Sequence, residues 1–141
     1  DECGKLVEYF EPLAEENRQR ITSEGSARVK GDRQLLRRAL ANLVSNAIRN
    51  APPDSLVEIK VAGRNGGGAE VSVSNTGPGI PATELPRIFD RFYRTRAARD
   101  RKIEGTGLGL AIVQSIARLH GGEVRAESVQ GEVTRFTLSL P

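Results

Sequence analysis

Apolar residues that recur every three or four positions predict the helices of this chain. Leu6, Phe10 and Leu13 show this spacing within a first helix over about residues 5–18. A longer helix is predicted from Asp32, a suitable N-cap residue, to residue 50, after which two prolines follow. A short helix is expected around residues 84–92. A largely apolar helix is expected over residues 110–119, where two glycines close it.

Apolar and polar residues that alternate with period two predict the strands. This pattern occurs at residues 56–61 and 70–74, and a glycine-rich turn between them indicates a hairpin. Two more strands are expected at residues 123–128 and 135–140, and the weak alternation over residues 21–30 is compatible with two short strands. The order predicts a two-layer α/β sandwich in which a mixed, largely antiparallel sheet packs on helices. No repeat or linker interrupts the pattern, so we expect residues 1–141 to form one domain.

The composition is that of a globular protein, with 38% hydrophobic and 28% charged residues. No apolar run approaches the roughly 20 residues that a membrane-spanning helix requires. The single cysteine, Cys3, excludes an internal disulfide and fits a reducing cytoplasm. The chain opens without an initiator methionine or a signal peptide, and we expect it to be a fragment of a longer protein.

The net charge of +3 is modest, but basic residues are concentrated in residues 87–102. Such a cluster attracts polyanions, which include nucleic acids and the phosphates of a nucleotide. Few aromatic residues lie among these charges, which disfavours a stacking surface for single-stranded nucleic acid. On charge alone, three interpretations of this segment stay open: a solvated loop, a contact with nucleic acid and a contact with the phosphates of a nucleotide.

Polar residues form a stripe along the long helix. At about 100° per residue, its apolar positions share one arc, while Asn42, Asn46 and Arg49 share another, with Asn50 beside them. Solvent-facing stripes usually carry Glu and Lys, so these amides favour a ligand-facing surface over a solvated one. Amide oxygens suit Mg²⁺, and a guanidinium suits phosphate.

A glycine-rich segment precedes the apolar helix. Its residues are Gly105, Thr106, Gly107, Leu108 and Gly109. Free backbone N–H groups and the helix dipole favour an anion at such a position. A dinucleotide-binding fingerprint is excluded because residue 110 is Leu and a charged loop precedes the glycines; the Gly-Lys-Ser/Thr of a P-loop is also absent.

Four segments together resemble one known family. Residues 42–47 (Asn-Leu-Val-Ser-Asn-Ala) resemble the N box of the GHKL ATPases. Residues 75–80 (Asn-Thr-Gly-Pro-Gly-Ile) and 105–110 resemble their two glycine boxes. Residues 87–94 (Arg-Ile-Phe-Asp-Arg-Phe-Tyr-Arg) resemble the F box of histidine kinases. All four occur in the expected order and spacing, so the chain resembles the ATP-binding catalytic domain of a sensor histidine kinase with the GHKL fold.

The resemblance implies roles for the polar stripe in binding ATP and Mg²⁺. Asn46 would ligate Mg²⁺, Asn42 would lie beside the phosphates and Arg49 on the phosphate tail. The F box and the basic cluster would form a lid over the nucleotide, in which Arg94 contacts phosphate. Asn42, Arg49 and Arg94 are therefore the candidate catalytic residues.

The glycine boxes would shape the rest of the nucleotide site. Asn75 would meet the adenine amino group, and Gly77, Gly79 and Ile80 would let the backbone approach the base. The segment from Gly105 to Gly109 would hinge the lid and present N–H groups to phosphate. A third glycine box is degenerate and keeps only Gly131 and the hydroxyl of Thr134.

One position separates kinases from hydrolases within this superfamily. The hydrolases resemble one another in placing a Glu, as general base for water, one turn before the metal-binding Asn. Here that residue is Asn42, and an amide cannot serve as a base. The resemblance therefore implies a kinase, whose γ-phosphoryl passes to a histidine on a separate dimerisation domain. We interpret His120, the only histidine in the chain, as structural and the isolated domain as inactive without that acceptor.

Two departures from the family pattern bear on the base. Asn75 stands where most members carry Asp, and its amide can offer either its oxygen to adenine or its NH₂ to guanine. Asn50 replaces an aromatic residue or His that often stacks near the base. With Phe-Asp-Arg-Phe-Tyr-Arg at residues 89–94, Asn75 resembles the heavy-metal sensor kinases.

The resemblance also implies partners and a location. The partners would be the protein's own dimerisation and phosphoacceptor domain and the receiver domain of a response regulator, with no nucleic acid. The domain would be the cytoplasmic part of a homodimeric sensor in the inner membrane. Two alternatives stay open: a nucleotide-binding module without catalysis, and a nucleic-acid-binding domain that uses the basic cluster.

Overall fold

A computed structural model describes residues 2–27, 29, 31–64, 67–77, 79–93, 109–129 and 133–141. The helices are α1 (Glu2–Glu16), α2 (Arg33–Asn50) and α3 (Gly109–Leu119), and a short 3₁₀ turn covers Leu85–Arg87. The strands are β1 (Arg20–Glu24), β2 (Leu56–Gly63), β3 (Ala69–Thr76), β4 (Glu123–Val129) and β5 (Val133–Leu140). Within these ranges, no helix is long and apolar enough to cross a membrane.

The five described strands form one sheet in the order β1-β2-β3-β5-β4. β1 and β2 run parallel and are connected through α2, whereas every other pair of neighbours is antiparallel. This architecture confirms the predicted mixed, largely antiparallel sheet packed on helices.

The core lies between one face of this sheet and the helices α1, α2 and α3. Along β3, alternate residues are buried from Ala69 to Asn75, as period-two alternation requires. Phe136 of β5 is 2% exposed, and its ring meets Phe89 edge-on at 6.1 Å between centroids. Segment 79–93 is thereby held on the core, at the edge where β3 ends.

Local signals explain the helix ends. The Asp32 carboxylate accepts a hydrogen bond from the Leu35 N–H at 3.0 Å and so caps α2. At the end of α3, Gly121 adopts a φ of +74°, and the Gly122 N–H donates to the Ala117 carbonyl at 2.9 Å. This is the Schellman arrangement, which needs a left-handed residue where glycine carries no steric penalty.

One of the predicted elements was wrong. The helix expected around residues 84–92 shortens to the 3₁₀ turn at Leu85–Arg87, and Phe92 adopts a left-handed φ of +66°, which an α-helix does not contain. Of residues 21–30, whose pattern is compatible with two short strands, the structure describes one strand, Arg20–Glu24, and residues 28 and 30 lie outside the described residues. After β1 the chain turns away from the neighbouring strand β2 at Gly25. Its φ is +86°, and a side chain there would collide with the Val61 carbonyl of β2.

Candidate nucleotide-binding site

The buried face of α2 leaves its polar stripe on the other side of the helix. Ala39, Leu43, Val44 and Ala47 are at most 1% exposed. Asn42, Asn46 and Asn50 are half-buried, and Arg49 is exposed. The structure therefore brings the predicted stripe together at the edge of the core, where its polar atoms can reach a ligand.

Asn50 orients the candidate metal ligand. Its Nδ2 donates to the Asn46 carbonyl at 2.7 Å and to the Asn46 side-chain Oδ1 at 3.1 Å. A carbonyl-type oxygen has two lone pairs, so Oδ1 of Asn46 can accept from Asn50 and still ligate a cation. Asn50 thus orients the side chain of Asn46. The sequence comparison considered only that Asn50 replaces an aromatic residue or His near the base, and it did not predict this contact.

Asn42 lies beside the start of α3. Its Nδ2 faces the Gly109 carbonyl at 3.5 Å, which is long for a hydrogen bond. A Cβ at Gly109 would meet no described atom within 4 Å. The first turn of a helix has N–H groups with no partner inside the helix. Asn42 therefore lies next to donors that suit phosphate.

The end of β3 meets the end of α2. A Cβ placed on Gly77, whose φ is +154°, would lie 3.2 Å from Cδ of Pro52 and 3.7 Å from the Asn50 carbonyl oxygen. It would also lie 3.6 Å from Nδ2 of Asn75. The positive φ favours glycine at residue 77, and these distances place Asn75 near the end of α2 that carries Asn50.

Asn75 is a buried polar residue, 5% exposed, at the end of β3. Its Nδ2 donates to the Thr76 carbonyl at 3.0 Å, so in this orientation the amide nitrogen already has a partner within the protein. From the sequence alone, the Asn75 amide could have either orientation. In the structure its nitrogen is bonded to Thr76, so its oxygen is the atom that can accept a hydrogen bond from a ligand. This favours a partner such as the adenine amino group.

A hydroxyl pair connects the first glycine turn to the sheet. Oγ of Ser128 accepts from the Ile80 N–H at 2.8 Å and lies 3.1 Å from Oγ1 of Thr134. Thr134 is 6% exposed and pairs across the strands with Asn75. Gly79, with φ of +81°, precedes Ile80 in this turn. The predicted residues Gly79, Ile80 and Thr134 therefore lie around the same end of β3 as Asn75.

Sequence reasoning missed Ser128, although a signal for it exists. Val124, Ala126 and Ser128 alternate along β4 and point to the same face of the sheet. A hydroxyl at a position that the pattern assigns to the apolar face indicates a specific partner. The Ile80 N–H is that partner.

The start of the F-box segment is ordered by its aromatic residues. The Tyr93 hydroxyl donates to the Glu84 carboxylate at 2.7 Å, and the Arg87 guanidinium lies 4.6 Å from the centre of the Tyr93 ring. The candidates Arg94, Gly105, Thr106, Gly107 and Leu108 lie outside the described residues. The lid expected from the basic cluster lies largely outside them as well.

Comparison with known proteins gives one family. The profile of the histidine kinase-, DNA gyrase B- and HSP90-like ATPases matches residues 31–141. Sensor protein IrlS of Burkholderia pseudomallei is 45% identical over 140 residues, which are 99% of this chain and 30% of IrlS. Sensor histidine kinase CusS of Escherichia coli O157:H7 is 44% identical over 142 residues, 100% of this chain and 29% of CusS.

The fold has a close counterpart among solved structures. The crystal structure of full-length ShkA in complex with AMPPNP is similar with a TM-score of 0.85 and 28% sequence identity. The similarity covers 99% of this chain and 29% of ShkA. The chain thus spans less than a third of the length of each of these proteins.

Proposed function

This chain belongs to the family of histidine kinase-, DNA gyrase B- and HSP90-like ATPases, and we propose that it is the ATP-binding catalytic domain of a two-component sensor histidine kinase. In this proposal residues 1–141 form one domain of a longer protein. It transfers the γ-phosphoryl group of ATP to a histidine on a separate dimerisation domain, from which a response regulator receives it.

One observation carries the proposal. The Asn46–Asn50 pair at the end of α2 and the Asn75–Gly77 segment at the end of β3 converge through Gly77. One side offers an oriented amide oxygen of the kind that Mg²⁺ accepts. The other offers a buried amide oxygen that can accept from a base. Mg²⁺ and a nucleotide fit these donors, and the resemblance to the histidine kinases assigns Arg49 and Arg94 to the phosphates.

Among the described residues, the side chain beside the first turn of α3 can position a phosphate but cannot act as a general base. Asn42 beside Gly109 is an amide, which cannot take a proton from water. The incoming nucleophile must therefore need little activation, as a neutral imidazole nitrogen does. It forms a bond to the γ-phosphorus while the bond from that phosphorus to the β,γ-bridging oxygen breaks and ADP leaves. Mg²⁺ would neutralise charge on the phosphates, which is the main electrostatic contribution in phosphoryl transfer.

The acceptor histidine belongs to another segment. Both ring nitrogens of His120 contact backbone groups, Asp32 N at 3.0 Å and the Ile116 carbonyl at 2.8 Å. A nitrogen held in this way has no lone pair directed at a phosphorus. This supports the assignment of the acceptor to a dimerisation hairpin of the longer protein.

We extend the proposal to the whole protein as a homodimeric inner-membrane sensor with its catalytic domain in the cytoplasm. CusS and IrlS, which this chain resembles over nearly its full length, are sensor proteins. The Asn75 and F-box residues support placement among the heavy-metal sensor kinases. The metal would be sensed by a domain outside this chain.

Titration with a fluorescent ATP analogue, with and without Mg²⁺, tests the proposal. We expect saturable binding that Mg²⁺ strengthens, and loss of the Mg²⁺ effect in Asn46→Ala with an unchanged melting temperature. Asn17→Ala is the matched control, because Asn17 is exposed and its side-chain Nδ2 donates to the carbonyl of Leu13 in α1. Failure of the wild type to bind ATP, or Mg²⁺-dependent binding that survives in Asn46→Ala, would contradict the assignment. Tighter binding of nucleic acid than of nucleotide would favour the alternative function.

A further inference from the structure

His120 makes two hydrogen bonds to backbone groups of different segments. Its Nε2 lies 3.0 Å from the Asp32 N–H, and its Nδ1 lies 2.8 Å from the Ile116 carbonyl oxygen. An N–H can only donate and a carbonyl can only accept. Imidazole offers one donor and one acceptor only in its neutral form. The ring is therefore neutral in this arrangement, with its hydrogen on Nδ1.

Gly31 makes room for this ring. A Cβ on Gly31 would lie 2.6 Å from Cδ2 and 2.8 Å from Nε2 of His120. Carbon atoms do not approach nonbonded atoms so closely, since optimal separations are about 3.5–4.0 Å. Glycine at residue 31 thus allows the ring to reach the Asp32 N–H directly.

The bond to Asp32 joins the C-terminal end of α3 to the N-terminal end of α2, and the bond to the Ile116 carbonyl, within α3, fixes the orientation of the ring. Asp32 is the N-cap of α2, and Ile116 lies in the last turns of α3, where it is 3% exposed. At the other end of the same helix pair, Asn42 faces the Gly109 carbonyl. Ten residues of α2 therefore run antiparallel to eleven of α3, a length of about 16 Å, with a polar contact at each end.

We propose that His120 is a positioning residue for the nucleotide site, an inference that rests on the function proposed above. The apolar contacts between α2 and α3 hold the helices together, but hydrogen bonds are directional and specify how far one helix sits along the other. The bond between His120 and Asp32 sets this axial register. It thereby keeps the first turn of α3, where the glycine-rich segment ends, beside Asn42.

Two substitutions of His120 distinguish the effect of losing its hydrogen-bond acceptor from the effect of losing its side-chain volume. Gln carries an acceptor at about the reach of Nε2, whereas Leu fills similar space without one. A change that acts on a site through packed elements typically alters affinity by about 2- to 30-fold, and we expect a loss of about tenfold in Mg-ATP affinity in His120→Leu. His120→Gln should stay within about threefold of wild type, because it keeps the bond to Asp32. Leu119→Ala is the control, since Leu119 is adjacent and 74% exposed.

A double-mutant cycle tests the contact itself. Gly31→Ala should weaken Mg-ATP binding more in the wild type than in His120→Ala, where the ring is absent and the new methyl group still meets Cδ1 of Leu36, at 2.9 Å. All affinities are measured at a temperature where circular dichroism shows each variant folded. Should His120→Leu not fold, His120→Gln is compared with His120→Asn, whose amide is one methylene shorter.

Hydrogen exchange separates this inference from the proposed function. Faster exchange at residues 113–115, the first amides that are bonded within α3, in His120→Leu, and not in His120→Gln or Leu119→Ala, would support the register role even if the wild type bound no ATP. Wild-type affinity in a folded His120→Leu, additive effects in the cycle, or unchanged exchange at residues 113–115 would each overturn it.

Discussion

The orientation of the Asn75 amide predicts that the site prefers ATP to GTP. The residue is 5% exposed, and its Nδ2 donates to the Thr76 carbonyl at 3.0 Å. Its Oδ1 can accept from the adenine amino group without any rearrangement. Guanine presents a carbonyl oxygen at the equivalent atom, so the amide must turn by half a turn to offer its NH₂.

The cost of that turn follows from the hydrogen bond that it breaks. Turning the amide gives up the bond to Thr76 and brings two oxygens together. A buried polar group left without its partner costs about 1–3 kcal/mol, which corresponds to about 5- to 100-fold in Kd. Wild type should therefore prefer ATP to GTP by at least about fivefold. This preference is still weaker than that of a carboxylate, which has no donor to offer guanine.

Two substitutions move this preference in opposite directions. Asn75→Asp should widen the ratio of GTP to ATP dissociation constants by about tenfold, chiefly by weakening GTP, because a carboxylate repels the guanine oxygen in either orientation. Asn75→Ala should bring the ratio toward one. Competition of both nucleotides against a fluorescent ATP analogue measures all three ratios. Equal affinities in wild type would show that the amide turns freely, and an unchanged ratio in Asn75→Ala would show that another group reads the base.

Further predictions concern the hydroxyl pair and the core. Ser128→Ala leaves the half-buried Ile80 N–H without an acceptor and should lower the free energy of unfolding by about 1–2 kcal/mol while weakening ATP binding. Denaturant unfolding and ATP titration measure both effects, the exposed Ser115→Ala is the control, and unchanged ATP affinity would exclude Ser128 from the site. Phe136→Ala removes a ring that is 2% exposed and should cost about 3–5 kcal/mol of stability. A loss below about 1 kcal/mol in chemical denaturation would contradict the described core.

The elements that sequence predicted well are those with local causes. Helix α2 begins after Asp32 and ends at Asn50 because an N-cap side chain and two prolines act within a few residues of each boundary. The helix expected around residues 84–92 does not form in full. Phe92 has a left-handed φ, and nothing in the sequence indicated it, because such a φ is usually predicted from a glycine. Period-two alternation found β2 and β3, but it contains no information on the parallel pairing of β1 with β2.

The candidate site also has features that the sequence predicted and contacts that it could not predict. Helical periodicity placed Asn42, Asn46 and Arg49 on one stripe, because residues four apart share a helix face. It could not show that Asn50 bonds Asn46, or that Gly77 packs against the end of α2. Those contacts depend on side-chain rotamers and on chain segments that are far apart in sequence. The motif resemblance supplied roles for the residues, and the geometry supplied the contacts between them.

Phosphoryl transfer tests the central claim most directly. The chain, alone and expressed together with the dimerisation hairpin that we propose precedes it, is incubated with Mg²⁺ and γ-labelled ATP, and acid-labile phosphate is located by mass spectrometry. We predict phosphate on a histidine of the hairpin, none on His120, and negligible release of inorganic phosphate by the chain alone. Phosphate on His120 of the isolated chain, rapid hydrolysis by it, or no transfer to the hairpin would contradict the account.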